Sequence, residues 1–226
     1  MFGLAFDPNA EVERWEHHRP HWAQSGAVVF VTFRTHDSIP REVVLLWDRL
    51  KLEWLHHRGV QCTAWHRGFE QLNAIDRANF LHEFQRLKDI CLDECLGTCV
   101  LRRPELAQIV SNSLLHFDGQ QYQMGDFVVM PNHVHLLAVF SDAQFMKNQF
   151  ASWLRFTATQ INRAIGRSGS LWQEEPFDHL VRSAEQFDWL RRYIAENPTM
   201  ARLLHGEFLY RRRPECVSAI SPKSLA

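Results

Sequence analysis

The sequence predicts an α+β domain, one antiparallel sheet covered by helices, and three observations carry that prediction. Residues 27–34 (AVVFVTFR) and 133–140 (HVHLLAVF) are short runs rich in Val, Phe and Leu, bounded by turn residues, as buried strands are. Longer stretches such as 144–165 place apolar residues every three or four positions, the period of a helix. The two kinds of segment alternate along the chain, which excludes an all-α or all-β design.

Taken in order, residues 1–25 are polar, dotted with Trp and His, and without periodicity, so they read as an N-terminal arm with no regular element. The strand at 27–34 follows. Ser38 and Pro40 start a helix whose stripe is Val43, Trp47, Leu50 and Trp54 and whose end is Gly59. Residues 60–73 read as a loop. Asp76 is expected to cap a second helix reaching to about residue 96, with Phe80, Phe84, Leu87 and Cys91 on one side. Pro104 opens a third, along Leu106, Ile109, Val110 and Leu114, and Asp118-Gly119 closes it.

Strands over 121–130 and 133–140 are joined by the tight Pro131-Asn132 turn and should pair antiparallel. The helix at 144–165 is stopped by the Gly-Arg-Ser-Gly of 166–169. Residues 171–173 and 177–182 suggest a further short strand around Pro176. A last helix runs over 184–196, stopped before Pro198, with Phe187, Leu190 and Ile194 on its buried stripe. From Arg211 on there is no core signal. This order of elements is the split βαβ arrangement of ferredoxin-like folds, with an enlarged helical first crossover. It divides the chain into an arm (1–25), one domain (26–204) and a C-terminal tail (205–226).

At 226 residues and 46% hydrophobic, the chain can bury a substantial core, which excludes intrinsic disorder. No long uncharged apolar run is present to span a membrane, and the N-terminus lacks a basic, apolar secretory signal, so a cytoplasmic protein is expected. The 25 Lys and Arg balance 26 Asp and Glu, and net charge therefore argues neither for nor against a nucleic-acid partner. Local basic clusters do occur, at Arg102-Arg103, Arg191-Arg192 and Arg211-Arg212-Arg213. Cys62, Cys91, Cys95, Cys99 and Cys216 contain no Cys-x-x-Cys, which fits a reducing compartment. Cys91, Cys95 and Cys99 recur every four residues and could gather for zinc; the favoured reading puts the first two on a core-facing helix and Cys99 past Gly97, outside it.

The chemistry centres on His133 and His135. On a strand they share one face with Leu137 and Val139, while the other face is wholly apolar, so both imidazoles should be interior and need partners. Either they are core histidines satisfied by backbone or carboxylates, or they converge on one divalent ion; two on one face after a Pro-Asn turn favour the ion. Tyr193 and Asn197 lie four apart on the last helix and share a face near its end. On that spacing alone, the tyrosine ring packs at the core edge and the asparagine caps the helix before proline.

Several blocks, in their order, resemble a known family. They are Val31-Thr32-Phe33-Arg34, Met130-Pro131-Asn132-His133-Val134-His135, Gly169-Ser170-Leu171-Trp172-Gln173 with Phe177-Asp178-His179 and Arg182, and Arg192-Tyr193-Ile194-Ala195-Glu196-Asn197-Pro198 with Ala201. Together they resemble the single-tyrosine HUH transposases, and among these the REP-associated tyrosine transposases, over most of the chain from residue 26 to 204. The resemblance implies a single-stranded DNA endonuclease and strand-transfer enzyme. By it His133 and His135 hold a divalent ion, Mg²⁺ or Mn²⁺, Tyr193 attacks the scissile phosphate, and Asn197 completes the metal site where some relatives carry glutamine. It also implies a DNA hairpin with a single-stranded flank as partner. Trp172, Phe177 and His179 are then candidates to stack on unpaired bases, with Arg34, Arg182 and Arg192 as candidates for DNA contact. The chain's length is similar to that of self-contained monomers rather than of the shorter swapped dimers.

Two other readings compete. A histidine-triad nucleotide hydrolase needs a third histidine two positions on, where this chain has Leu137. A hairpin-binding protein that no longer cleaves would keep the fold, and intact His133, His135 and Tyr193 argue against it.

Overall fold

Strands and helices alternate in the computed structural model, which describes residues 1–16 and 20–213. In chain order they are β1 (Glu13–Glu16), β2 (Pro20–Ala23), β3 (Val28–Arg34), α1 (Arg41–His57), α2 (Trp65–Glu70), α3 (Ala74–Asp93), α4 (Pro104–Leu115), β4 (Tyr122–Val129), β5 (His133–Phe140), α5 (Ala143–Ile165), β6 (Phe177–Leu180), α6 (Ala184–Met200) and β7 (Leu209–Arg211). The main sheet has the order β6-β3-β5-β4-β7 with every pair antiparallel. Without β7 this is the order of a split βαβ fold, and α1 to α4 form its enlarged first crossover.

Strand β5 has no exposed residue because both of its faces are covered. Val134, Leu136, Ala138 and Phe140 look into the larger apolar core with Leu106, Val110 and Leu114 of α4 and Met146, Phe150 and Trp153 of α5. On the opposite face Leu137 and Val139 meet Phe187, Leu190 and Ile194 of α6. Burying each of these three α6 side chains contributes about 2 kcal/mol, and this holds the helix against the face that carries the histidines.

The structure differs from the sequence reading at several elements. The arm was expected to be irregular, yet β1 and β2 pair with each other, and Leu4 and Phe6 hydrogen-bond to Gly26 and Val181. A bulge between Met124 and Phe127 opens β4 beneath the arm, and a Cβ on Gly125 would meet the Phe2 ring at 2.6 Å. Helix α2 lies inside the stretch read as loop; six residues are too few for a period to show. Asn73, not Asp76, caps α3, its side chain accepting from the Asp76 N–H at 2.9 Å. That helix ends at Asp93, so Cys95 lies outside it, and both Cys95 and Cys99 adopt left-handed backbone. Between them Gly97 sits so close to Asp37 that a Cβ would come within 2.5 Å of its carbonyl oxygen.

Two further corrections concern the end of the chain. Helix α6 runs through Pro198 to Met200 instead of stopping before it. Proline removes one helical hydrogen bond, but Ala201 N–H to Asn197 O (3.0 Å) and Leu203 N–H to Pro198 O (2.9 Å) close the last turn. Strand β7 then pairs with β4, reaching Arg211, where no core signal was read. Cys216 and the rest of the tail from 214 lie outside the described residues.

The crossover carries an apolar cluster of its own: Trp54, Leu55, Leu72 and Phe80 pack with Trp65, Phe69 and Phe84. It joins the sheet through a smaller cluster of Ile39, Cys91 and Leu92 and through the Asp37 carboxylate, which accepts from Thr98 N–H (2.8 Å) and Oγ1–H (2.6 Å). Among the described residues no helix is long and apolar enough to cross a membrane.

Candidate functional site

Register places the site. Pairing of β3 with β5 sets His135 opposite Thr32 and His133 opposite Arg34, while β6 brings Phe177 and His179 to the same face beside Thr32 and Phe30. Helix α6 lies over this face, and its i, i+4 spacing aims Tyr193 and Asn197 at the two imidazoles. Tyr193 Oη is 3.3 Å from His135 Nε2, and Asn197 Oδ1 is 3.3 Å from His133 Nε2. Because the helix continues through Pro198, Asn197 is an interior helical residue, 1% exposed, rather than a cap.

The hydrogen bonds behind the rings decide where their lone pairs point. Asn132 Nδ2 donates to Leu96 O at 3.0 Å, which turns its Oδ1 toward His133 Nδ1 at 2.8 Å. His133 therefore carries its proton on Nδ1 and presents the Nε2 lone pair to Asn197. Thr32 Oγ1 lies 2.7 Å from His135 Nδ1; with the proton on that nitrogen, Nε2 is free to accept from Tyr193. At His133 two acceptors then face one another, while the buried Asn197 Nδ2 has no hydrogen-bond partner. A cation between the acceptors satisfies both, and otherwise the amide must turn over. Two imidazole nitrogens, each oriented from behind, and one amide oxygen thus suit a divalent ion. Among the described residues no group of three His, Cys, Asp or Glu side chains offers another such set.

Burial keeps these rings neutral. It holds His133 down to about 3, opposed by the bond to Asn197 and helped by Lys88, and it holds His135 well below the usual imidazole range, helped by His133 and Lys88. Their exposures are 0% and 1%. The Tyr193 phenol is pushed in the opposite sense, well above its ordinary range, first by burial and then by the carboxylates of Asp89 and Asp93. Both carboxyls stand on α3 and are themselves raised to about 6, Asp89 by burial against the pull of Lys88, Asp93 by burial and by Asp89. Helix α3 therefore borders the site beside α6 with one ammonium and two acids.

Aromatic rings pave the face. Phe30 stacks on His135 (5.4 Å between centroids) and touches His179 (5.2 Å) and Tyr193 (6.1 Å), and Trp189 lies parallel to Tyr193 at 5.4 Å and 10°.

Of the residues read from sequence, the structure brings His133, His135, Tyr193 and Asn197 together, with Phe177 and His179 at the border, where the Lys88 ammonium lies 5.0 Å from the Phe177 ring centre. His179 is held down to about 4 by burial and by Arg182. Arg182 and Arg192 are exposed. Arg34 is engaged at the end of β3, donating to Ser38 Oγ at 3.0 Å. Trp172 is not available to a base: 4% exposed, it packs edge-on against Phe33 in the opposite core and donates to Thr157 Oγ1 at 2.8 Å. Several of the basic clusters are ion-paired, Arg191 with Asp126 and Arg102 with Glu207. A cavity of about 400 Å³ on the far side of α6, lined by Arg191, Arg192, Arg212 and Tyr210, does not include the histidines.

Sequence reasoning missed Thr32 and Asn132 as the groups that orient the rings, and Lys88, Asp89 and Asp93 as charges facing them. Asn132 had a signal in its place beside His133. Thr32 depends on strand register and the α3 trio on how the crossover folds back, and neither leaves a local pattern.

No protein family's profile matches the chain, and no curated protein matches it. Among solved structures, one described as a REP-associated tyrosine transposase bound to a REP hairpin aligns with 82% of this chain and 73% of that one, at 14% identity and a TM-score of 0.38. So distant a likeness leaves the function to be argued from the site itself.

Proposed function

We propose that this chain is a metal-dependent single-stranded DNA nicking and strand-transfer enzyme of the REP-associated tyrosine transposase type, with Tyr193 as nucleophile. The observation that carries the reading is the 3.3 Å approach of Tyr193 Oη to His135 Nε2 beside the converging acceptors of His133 and Asn197. His133, His135 and Asn197 would hold Mg²⁺ or Mn²⁺. When bound, the ion supplies positive charge that polarises a phosphate oxygen and favours the phenolate.

The chain's own residues do the rest. Thr32 and Asn132 fix the rings, and the packing of Phe30 and Trp189 against Tyr193 fixes the phenol. Tyr193 Oη bonds to phosphorus as its proton leaves, the bond to the 3′ oxygen breaks, and that oxygen takes up a proton. A 5′-phosphotyrosine and a free 3′-hydroxyl result, and because the link keeps the diester's energy a second DNA end can reverse the step. The buried, raised phenol supports a role for a cation, since neither the apolar surroundings nor Asp89 and Asp93 favour a phenolate. Both halves of the site come from one chain, which supports a self-contained monomer. The proposed partner is single-stranded DNA carrying a hairpin.

The test is incubation with labelled single-stranded hairpins from the flanks of the protein's own gene, with Mn²⁺, Mg²⁺ or chelator. The expected result is a metal-dependent nick and a covalent protein–DNA adduct. Tyr193→Phe should lower cleavage by more than ~10³-fold while hairpin binding survives. Retained cleavage in that variant sinks the mechanism, and a protein that shifts the DNA without ever cutting it is a hairpin binder.

A further inference from the structure

Trp189 is not among the residues to which the sequence assigned a role. It lies one helical turn before Tyr193 on α6, its indole parallel to the phenol at 5.4 Å and 10°. It is 54% exposed, whereas the Tyr193 ring behind it is half-buried and Phe30 beyond that is buried. One face of the indole thus covers the nucleophile and the other meets solvent. The aromatic series Trp189, Tyr193, Phe30, His179 runs from the surface to the sheet, and Trp189 is its open end.

An exposed indole at the mouth of a buried centre is an apolar plane that water solvates poorly, and every nucleobase has a π-face to lay on it. The phosphate that Tyr193 would attack must sit beside the phenol, so the adjoining nucleotide is within reach of the next ring along. The Lys88 ammonium faces the imidazoles, a cation on the side of the site where the strand's charge would lie. Of the stacking candidates Trp172, Phe177 and His179, burial removes the first.

We infer that the outer face of the Trp189 indole is a stacking platform for an unpaired base of the DNA strand, next to the phosphate that Tyr193 attacks. The inference rests on the nuclease reading above and adds a specificity-setting contact to it. Stacking of this kind tolerates any base and prefers purines, whose larger plane covers more of the indole. It therefore sets where the strand lies rather than its full sequence.

The experiment uses full-length Tyr193→Phe protein, which binds without cutting, Mn²⁺, and hairpin DNA carrying 2-aminopurine at successive positions of the single-stranded flank. Stacking on Trp189 should quench the probe at one position and leave its neighbours bright. Trp189→Ala should abolish that quench and weaken binding about tenfold, while Trp189→Phe restores part of both. In the Tyr193 background the same Trp189→Ala change should lower cleavage and shift the preferred cut site. Equal quenching at every position, or identical binding and cleavage with and without the indole, overturns the platform while leaving the nuclease intact. If Tyr193 protein neither binds nor cuts the hairpin, the nuclease reading falls and the platform falls with it. A merely structural Trp189 would change thermal stability without changing which probe position is quenched.

Discussion

Two groups of buried histidines lie on opposite faces of the same sheet and are held in opposite states. His133 and His135 hydrogen-bond only to neutral groups, Asn132, Asn197, Thr32 and Tyr193, and burial, helped by Lys88, keeps them unprotonated. His21 on β2 lies between the carboxylates of Asp178 and Glu175, with Nδ1 bonded to the first and Nε2 to the second at 2.7 Å, while Trp15 stacks on the ring. Burial is again the largest influence and lowers its affinity for a proton, but the two acids together outweigh it and raise the pKa above 6.5. Burial alone therefore does not decide an imidazole's charge; the atoms facing its nitrogens do. Where those are carboxylates the ring gains a proton, and where they are neutral groups it stays an uncharged imidazole with a lone pair to offer.

The largest test of this contrast is His21→Gln, which keeps a hydrogen-bonding side chain and removes the charge. Leaving Asp178 and Glu175 without their cation should cost about 3 kcal/mol in urea unfolding, and a change near zero would show the ring to be neutral. The pH dependence sharpens the point. A pKa raised on folding stabilises fully below the unfolded value of 6.5 and less as pH climbs through the folded one, so the gap between His21 protein and His21→Gln should narrow as pH rises above 6.5. His133 has the opposite sign: its contribution is present above 6.5 and fades as pH falls toward about 3. The smallest expected effect is on the neutral side. Thr32→Val, which removes only the hydroxyl behind His135, should weaken Mn²⁺ binding by roughly 10-fold with little loss of stability. A larger loss of stability than of metal affinity would place Thr32 with the core instead.

What the sequence disclosed follows from how local each signal was. The alternation of His133, His135 and Leu137 with Val134, Leu136 and Ala138 is written in neighbouring residues, and so is the stripe of Phe187, Leu190 and Ile194 on α6. The partnership of His21 with Asp178 spans 157 positions, and no nearby residue announces it. The β1–β2 pair that it anchors was therefore invisible. Trp172 and Trp189 show the same limit from the other side. Each is an aromatic in a plausible place, and only the packing of α5 against Phe33 sends one inward while the other stays out. Pro198 misled because proline usually ends a helix, and here the closing bonds to Ala201 and Leu203 lay beyond it.

The aromatic cluster of the first crossover has a further consequence. Since Trp54, Leu72 and Phe80 find their neighbours within α1 to α3, that excursion has a core of its own and should open as a cooperative unit ahead of the sheet. Its amides should exchange with deuterium well before those of β5, and Mn²⁺ with hairpin DNA should slow them. Because α3 also carries Lys88, Asp89 and Asp93, opening of this unit would uncover the imidazole face while the sheet itself stays closed.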